Sequence, residues 1–358
     1  TFPTGGDHTS DSASYAVTVL APSFQPFKVS GYKTEYGGSG LSGWTIELYK
    51  GGVLYDSATT AVDGSYSITV KDPGTYSIKE VLKDKWTETA PVLTYSPGDG
   101  STPSVLGYSD ITVQSGVDIT GKDFTNFQWM TISGVKEDTE GNGLQGWTIE
   151  LYDSGGVYAS TTTAASTGGY SFTVKDPGTY SIKEVLPSGW TEVSPEHHYG
   201  DGSSVLGYSD ITVVSGQDIT GKDFVNFEWL TVSGNKYEDT DGTRPTDSPL
   251  EDWTINLYKD STLYDSTTTD VNGYYEFIVK DPGTYSIKEV LKDKWTETYP
   301  VLTYSPGDGS TPSVLGYSGL DVSSGVDVTG KDFWNFKWFT VSGYKFFDAD
   351  GDGVRDAG

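Results

Sequence analysis

The stretch GTYSIKEVL at residues 74–82 decides the fold, and it recurs unchanged at 178–186 and at 283–291. Because side chains alternate between the two faces of a strand, Tyr76 and Glu80 share one face. Similar short runs, rich in Thr, Val, Ile, Tyr and Trp, alternate with Gly, Asp, Pro and Ser clusters along the chain. Such spacing is typical of an all-β sandwich. In the first repeat it predicts strands near residues 27–33, 44–50, 53–60, 66–71, 75–82, 106–113 and 123–132.

A lysine motif precedes this stretch in each round, and an asparagine motif follows it. The lysine motifs are VSGYK at 29–33, ISGVK at 132–136, VSGNK at 232–236 and VSGYK at 341–345. The asparagine motifs are KDFTNF at 122–127, KDFVNF at 222–227 and KDFWNF at 331–336. The complete sets are Lys33, Glu80 and Asn126; Lys136, Glu184 and Asn226; and Lys236, Glu289 and Asn335. Lys345 begins a fourth set whose partner the sequence does not reveal.

The lysines recur about every 100 residues, which is the length of a domain and longer than a solenoid repeat. Ten residues separate each asparagine from the next lysine, with no Pro and a single Gly between Asn126 and Lys136. We therefore expect the domains to join without a linker and to form a rod. The predicted division is a lead with one strand at 1–26, β-sandwiches at 27–130, 131–230 and 231–339, and the first strand and acidic loop of an incomplete unit at 340–358.

The strand pattern turns two charged side chains of each set inward. Lys33 shares a face with Phe27 and Val29, and an unpaired charge is expensive to bury there. Burial favours the neutral amine and the protonated carboxyl. A neutral lysine can then attack the carboxamide of Asn126, while Glu80 polarises the carbonyl and moves protons. The product is an isopeptide bond between the first and last strands, formed without a cofactor or a separate enzyme.

An ordinary reading of the same residues has surface lysines, ion-paired glutamates and turn-capping asparagines. Three coherent recurrences favour the cross-link over that reading. The side on which Asn126 points stays open, because Phe127 and Trp129 make the other face of its strand apolar too.

Each complete unit resembles the B-type (CnaB-like) repeat domains of Gram-positive collagen adhesins and pilins, and the B domains of serine-aspartate-repeat surface proteins. The resemblance rests on the lysine of the first strand, the glutamate of GTYSIKE and the asparagine of KDFxNF. It implies tandem Ig-like, prealbumin-like sandwiches outside the cell, with autocatalytic Lys–Asn bonds and Glu80, Glu184 and Glu289 as catalysts. LKDKW and LPSGW stand where the family usually has APxGY.

Calcium is a weaker prediction. Asp348, Asp350, Asp352 and Asp356 match the spacing of an EF-hand-like loop, and Asp239 and Asp241 match its start. B domains of serine-aspartate-repeat proteins often bind calcium here, which the resemblance adds. An acidic, Gly-rich turn without an ion is the alternative.

The composition narrows the function. A formal net charge of −27 argues against nucleic-acid binding, and the chain contains no cysteine and no apolar run long enough to span a membrane. No nucleophile–histidine arrangement suggests an enzyme. We expect an extracellular stalk, filament or surface layer that self-assembles head to tail by strand addition. The alternative is an adhesin stalk that presents a surface to a cell-surface or carbohydrate ligand.

Overall fold

The structure is a computed structural model that describes residues 24–92, 106–196, 206–243, 248–301 and 315–355. The strand predicted near residues 15–19 lies outside these ranges. The chain divides into two compact units: residues up to Met130 with 173–178 and 213–218, and residues 131–172, 179–212 and 219 onward. The described residues contain strands and turns but no helix, and therefore no helix that could cross a membrane. The predicted all-β class is confirmed.

The first repeat contains eight strands. They are β1 (Phe27–Glu35), β2 (Thr45–Lys50), β3 (Val53–Thr59), β4 (Ser65–Val70), β5 (Thr75–Glu80), β6 (Trp86–Ala90), β7 (Gly107–Thr112) and β8 (Phe124–Gln128). One sheet has the order β4-β1-β8-β6 and the other β3-β2-β5-β7. The lysine and asparagine strands are thus neighbours in one sheet, and the glutamate strand lies in the other.

The second repeat has the same plan. Its strands are β9 (Met130–Asp138), β10 (Thr148–Asp153), β11 (Gly156–Thr162), β12 (Gly169–Val174), β13 (Thr179–Glu184), β14 (Trp190–Ser194), β15 (Gly207–Thr212) and β16 (Phe224–Glu228). The sheets are ordered β12-β9-β16-β14 and β11-β10-β13-β15.

The third repeat adds one short strand to this plan. Its strands are β17 (Leu230–Glu238), β18 (Ser248–Pro249), β19 (Thr254–Lys259), β20 (Thr262–Thr268), β21 (Tyr274–Val279), β22 (Thr284–Glu289), β23 (Trp295–Tyr299), β24 (Gly316–Asp321) and β25 (Phe333–Lys337). One sheet is β18-β17-β25-β23 with β21 also paired to β17, and the other is β20-β19-β22-β24.

Strand β1 changes partners along its length. Its first six residues pair antiparallel with β4, from Phe27 opposite Val70 to Tyr32 opposite Ser65. Its last three pair in parallel with β8, and Glu35 lies opposite Asn126. A parallel pair between the first and last strands brings Lys33 and Asn126 onto the same face of one sheet.

The core of the first repeat lies between its two sheets. Phe27, Val29, Ile46, Ile78 and Phe124 are among its fully buried members. They come from alternate positions of β1, β2, β5 and β8, as the period of two requires. The site residues below lie at the same parity and extend this apolar layer.

Two details differ from the predicted strands. Strand β6 was not predicted, since WTETA lacks an apolar–polar alternation and forms the edge of its sheet. The strand predicted at 123–132 is two strands, because Trp129 leaves the ladder and donates its N–H to the carbonyl of Lys85 at 2.9 Å.

The first strand predicted for 340–358 is not formed in its described part. Residues 338–355 contain bends and irregular segments without strand pairing, whereas β1, β9 and β17 each lie between partner strands. Among them Phe339, Val341 and Tyr344 are exposed by 73%, 84% and 91%.

Candidate cross-linking site

The structure brings the predicted lysine, glutamate and asparagine together inside each sandwich. In the first repeat Lys33 extends from β1, Asn126 from the adjacent β8, and Glu80 from β5 of the opposite sheet. All three are at most 1% exposed. The open question about Asn126 is therefore answered, since its side chain points into the core.

One carboxylate contacts both prospective reactants. Glu80 Oε2 lies 2.9 Å from Lys33 Nζ, and Glu80 Oε1 accepts a 2.6 Å hydrogen bond from Asn126 Nδ2. The sequence pattern predicts that glutamate polarises the asparagine carbonyl, but the observed contact is with the amide nitrogen. Glu80 thus contacts the lysine amine and the asparagine amide nitrogen at once.

The arrangement is repeated in the other two sandwiches. Lys136 Nζ lies 3.4 Å from Glu184 Oε2, and Asn226 Nδ2 donates to Glu184 Oε1 at 2.7 Å. The corresponding distances for Lys236, Glu289 and Asn335 are 3.3 and 2.6 Å. Three independent stretches of sequence therefore build one geometry.

Burial changes the proton affinity of these groups. Desolvation lowers the pKa of Lys33, and it lowers the pKa of Lys136 and of Lys236 to about 8, against the opposing attraction of the paired glutamates. Desolvation also raises the pKa of Glu184, and it raises that of Glu289 to about 7. Both shifts increase the populations of the uncharged amine and the uncharged acid near neutral pH, where the two groups can exchange a proton.

A tryptophan ring covers each buried lysine. Lys33 Nζ lies 4.6 Å from the ring centroid of Trp44, and the equivalent distances to Trp147 and Trp253 are 4.5 and 4.7 Å. These tryptophans are at most 7% exposed, so they belong to the cores of their sandwiches. The ring attracts an ammonium group but offers no proton acceptor, so it does not compete with glutamate for the proton.

Sequence reasoning missed a second carboxyl in each site. Glu88 of β6 lies opposite Asn126, Glu192 opposite Asn226, and Glu297 opposite Asn335. The signal that could have revealed them is the tripeptide WTE, which occurs once per repeat at 86–88, 190–192 and 295–297. The tripeptide alone does not reveal an inward-facing acid, because the sequence pattern predicts no strand at these residues.

The structure brings the acidic residues of one predicted calcium site together but not those of the other. The carboxylate oxygens of Asp348, Asp350 and Asp352 all lie within 4.8 Å of one another, whereas Asp356 lies outside the described residues. Asp239 and Asp241 instead accept hydrogen bonds from Gly242 and Thr243 of their own turn. Within the described ranges, no third acid joins that pair. Lys345 is exposed and belongs to no strand.

A family model matches the middle of the chain. Residues 125–219 match the model described as "SdrD B-like domain". This stretch is therefore similar to SdrD B-like domains. It runs from β8 through β15, so it includes Asn126, Lys136 and Glu184 and is offset by one strand from the repeats described above. The predicted resemblance to B-type domains is confirmed.

Curated relatives extend the similarity beyond residues 125–219. Serine-aspartate repeat-containing protein D of Staphylococcus aureus (strain MW2) is 25% identical over 339 residues, covering 89% of this chain and 24% of that protein. Serine-aspartate repeat-containing protein F of Staphylococcus epidermidis is 24% identical, covering 83% of this chain and 18% of that protein. The chain spans about a quarter or less of these relatives. The relationship places it at the cell surface or outside the cell, as predicted.

Solved structures similar to the chain include surface proteins and pilins. BcpA, the major pilin subunit of Bacillus cereus, matches with a TM-score of 0.36 and 12% identity, covering 88% of this chain and 100% of that chain. The two B repeat units of the collagen binding protein of Staphylococcus aureus match with a TM-score of 0.21 and 14% identity, covering 87% and 74%.

Proposed function

We propose that the chain is a structural segment of an extracellular stalk or filament, and that each sandwich is closed by a self-catalysed Lys–Asn isopeptide bond. The observation that carries the proposal is the buried glutamate that contacts lysine and asparagine at once, in all three repeats. A simple structural ion pair would not require an amide nitrogen on the second carboxylate oxygen.

The geometry supports a balanced reaction. Glu80 accepts a proton from the Lys33 ammonium through Oε2, and the neutral amine attacks Cγ of Asn126 to form the Cγ–Nζ bond. Glu80 then passes protons from Nζ to Nδ2, where Oε1 already lies. The Cγ–Nδ2 bond breaks, and the nitrogen leaves as ammonium. In total a lysine ammonium and a carboxamide become a secondary amide and ammonium, with no oxidant or cofactor.

The proposed bond has a mechanical consequence. It joins the first strand of a repeat to the last, so tension passing through Lys33 and Asn126 bypasses the strands between them. By analogy with a disulfide, closing a loop of roughly 90 residues removes denatured-state entropy equivalent to about 4–5 kcal/mol. Resistance to extension, heat and proteases is what a stalk exposed outside the cell requires.

Intact mass is the direct test. Each bond releases one ammonia, so the full chain should weigh about 51 Da less than its sequence mass, and Glu80→Gln should restore about 17 Da of that loss. The control is Glu47→Gln, since Glu47 is a partly exposed acid whose oxygen lies 3.9 Å from Lys79 Nζ. We expect this control to keep the full loss. A wild-type chain at its sequence mass would refute the cross-link.

We further propose that residues 338–355 take part in assembly and calcium binding. The exposed apolar side chains of this segment repeat the motif of β1, which suits addition to the sheet of another copy. The Asp348, Asp350 and Asp352 oxygens are close enough to share one hard cation.

A further inference from the structure

The unassigned feature of each site is its second carboxyl group. Glu88 projects from β6 and lies directly opposite Asn126 in the antiparallel β6–β8 pair. Residues opposite each other in such a pair point to the same face, so both side chains enter the core. Glu192 and Glu297 hold the same register against Asn226 and Asn335.

One oxygen of each second carboxyl is fixed by the backbone. Leu106 N donates to Glu88 Oε2 at 3.1 Å, Leu206 N donates to Glu192 Oε2 at 3.2 Å, and Leu315 N donates to Glu297 Oε2 at 2.9 Å. The carboxyl plane is thereby oriented, and its other oxygen turns inward. Such positioning is what a residue needs to act on a neighbouring group.

Two buried oxygens in each of the first and third sites receive no hydrogen bond from an N–H or hydroxyl group. Among the described residues, these oxygens are Glu88 Oε1 and Asn126 Oδ1 in the first repeat, and Glu297 Oε1 and Asn335 Oδ1 in the third. A carboxylate and a carbonyl can only accept hydrogen bonds, whereas a protonated carboxyl can donate one. One proton on Glu88 would therefore satisfy an oxygen on each residue of the pair.

The surroundings of Glu88 favour that proton. Desolvation raises its pKa to about 7, and both the negative charge of Glu80 and hydrogen bonding to that carboxylate add to the effect, while the N–H of Leu106 and the charge of Lys33 oppose it. Glu80 faces Glu88 from β5 of the opposite sheet, and Lys33 faces it from β1. The pKa of Glu297 is raised for the same first reason.

We propose that Glu88, Glu192 and Glu297 are the acids that hydrogen-bond to the asparagine carbonyl oxygen and stabilise the negative charge that develops there during amine attack. Glu80 and its equivalents are then left to move protons between the two nitrogens. The second acid keeps its proton throughout, so the balance of the reaction is unchanged. This inference rests on the proposed cross-link.

The test compares two substitutions at Glu88 in the full chain. The chain is made by cell-free synthesis, synthesis is stopped, and aliquots are held at pH 5.5 to 9 before an acid quench. Mass spectrometry of digested samples then measures the cross-linked peptide of each repeat over time. Because Glu88 belongs to the first repeat alone, the second and third repeats of the same molecule are internal controls.

The expected results follow from the donor that each variant retains. Glu88→Met has no donor, and we expect the first bond to form about 100-fold more slowly. Glu88→Gln keeps an N–H donor that does not titrate, so the first bond should form at high pH without the decline that deprotonation of Glu88 causes in the wild type. Equal rates and pH profiles in all three chains would overturn the role of Glu88.

Two checks separate the possible failures. If no repeat of the wild type forms a bond, the proposed function itself fails. If the controls form bonds normally while the first repeat is slow, hydrogen exchange of peptides from β6 and β8 shows whether that repeat is folded. Slow bonding in Glu88→Met alone, with wild-type exchange, supports the proposal. Slow bonding in both variants contradicts it, whether or not protection is lost.

Discussion

At the residue scale, each buried lysine lies between an acceptor and an apolar wall. In the first repeat the acceptor is Glu80 at 2.9 Å, and the wall is the ring of Trp44 at 4.6 Å. Removing an ammonium group from water is unfavourable, and a single carboxylate only partly offsets that penalty. The site therefore holds two groups in positions where they can exchange a proton. Such an arrangement contributes little to the stability of the fold, but it favours a reaction between the groups.

Blocking the bond should expose this penalty as a dependence of stability on pH. In Asn335→Ala, Lys236 and Glu289 remain unlinked. Glu289 is protonated up to about pH 7 in the folded state but ionises near its ordinary pKa when unfolded, so stability should fall as pH rises from about 4.5 to 7. Lys236 loses its proton near pH 8 when folded, so stability should rise between about pH 8 and 10.

The measurement is the unfolding midpoint of the third repeat across this range. The fall below pH 7 and the rise above pH 8 should each change the free energy of unfolding by roughly 1–3 kcal/mol. The matched control adds Lys236→Met and Glu289→Gln to Asn335→Ala, which removes both titrating groups while keeping the side-chain lengths similar. If the control shows the same minimum near pH 7–8, the dependence arises elsewhere.

At the element scale, the site depends on how closely β1 approaches the segment before β8. The hydroxyl of Tyr66 donates to the carbonyl of Lys122 at 2.5 Å, and Tyr32 N donates to Asp123 Oδ1 at 2.8 Å. A Cβ atom on Gly31 would lie 2.2 Å from the same Lys122 carbonyl oxygen. The glycine of the lysine motif thus sets the distance between the strands that carry Lys33 and Asn126.

We expect Gly31→Ala to destabilise the first repeat by about 2–3 kcal/mol, since the backbone must shift to admit the new methyl group. The VSGYK motif offers a matched control. Gly343 occupies the same position in an identical pentapeptide, and a Cβ there would meet no atom within 4 Å. Thermal unfolding should show a lower midpoint for Gly31→Ala and an unchanged midpoint for Gly343→Ala. Equal shifts in the two variants would contradict the steric explanation.

How well the sequence predicts a strand and the direction of its side chains depends on where that strand lies in the sandwich. Strands β1 and β5 were predictable because one face is apolar and the other is not, and their buried charges stood out at once. Strand β8 is covered on both faces, and Phe127 packs against Tyr36 at a ring distance of 6.3 Å. Alternation therefore could not orient Asn126. Strand β6 is a half-buried edge strand, so neither it nor Glu88 could be identified from periodicity.

At the scale of the whole molecule, the described residues contain three Lys–Glu–Asn sites, followed by a segment that repeats the first lysine motif. Residues 338–355 combine exposed Phe339, Val341 and Tyr344 with the acidic group at Asp348, Asp350 and Asp352. Such a surface is unfavourable in water unless something covers it. Another copy of the chain is the partner that the repeated motif suggests.

Light scattering of the full chain and of a version ending at Lys337 tests this. We expect the full chain to form larger species as its concentration rises, and the shorter version to remain monomeric. In the same solutions, calorimetric titration should show calcium binding by the full chain and none by Asp348→Asn/Asp350→Asn/Asp352→Asn. Identical masses for both lengths would exclude strand addition, and unchanged titrations would exclude the calcium site.

The parallel pairing of β1 with β8 has a consequence that needs no covalent bond. Pulling a repeat by its two ends draws Lys33 and Asn126 in opposite directions along neighbouring strands that run the same way. The bonds between them are then loaded together in shear, whereas antiparallel neighbours pulled from one end would unzip one bond at a time. Even with Glu80→Gln, the first sandwich should therefore withstand stretching in a force–extension experiment better than a hairpin of equal length.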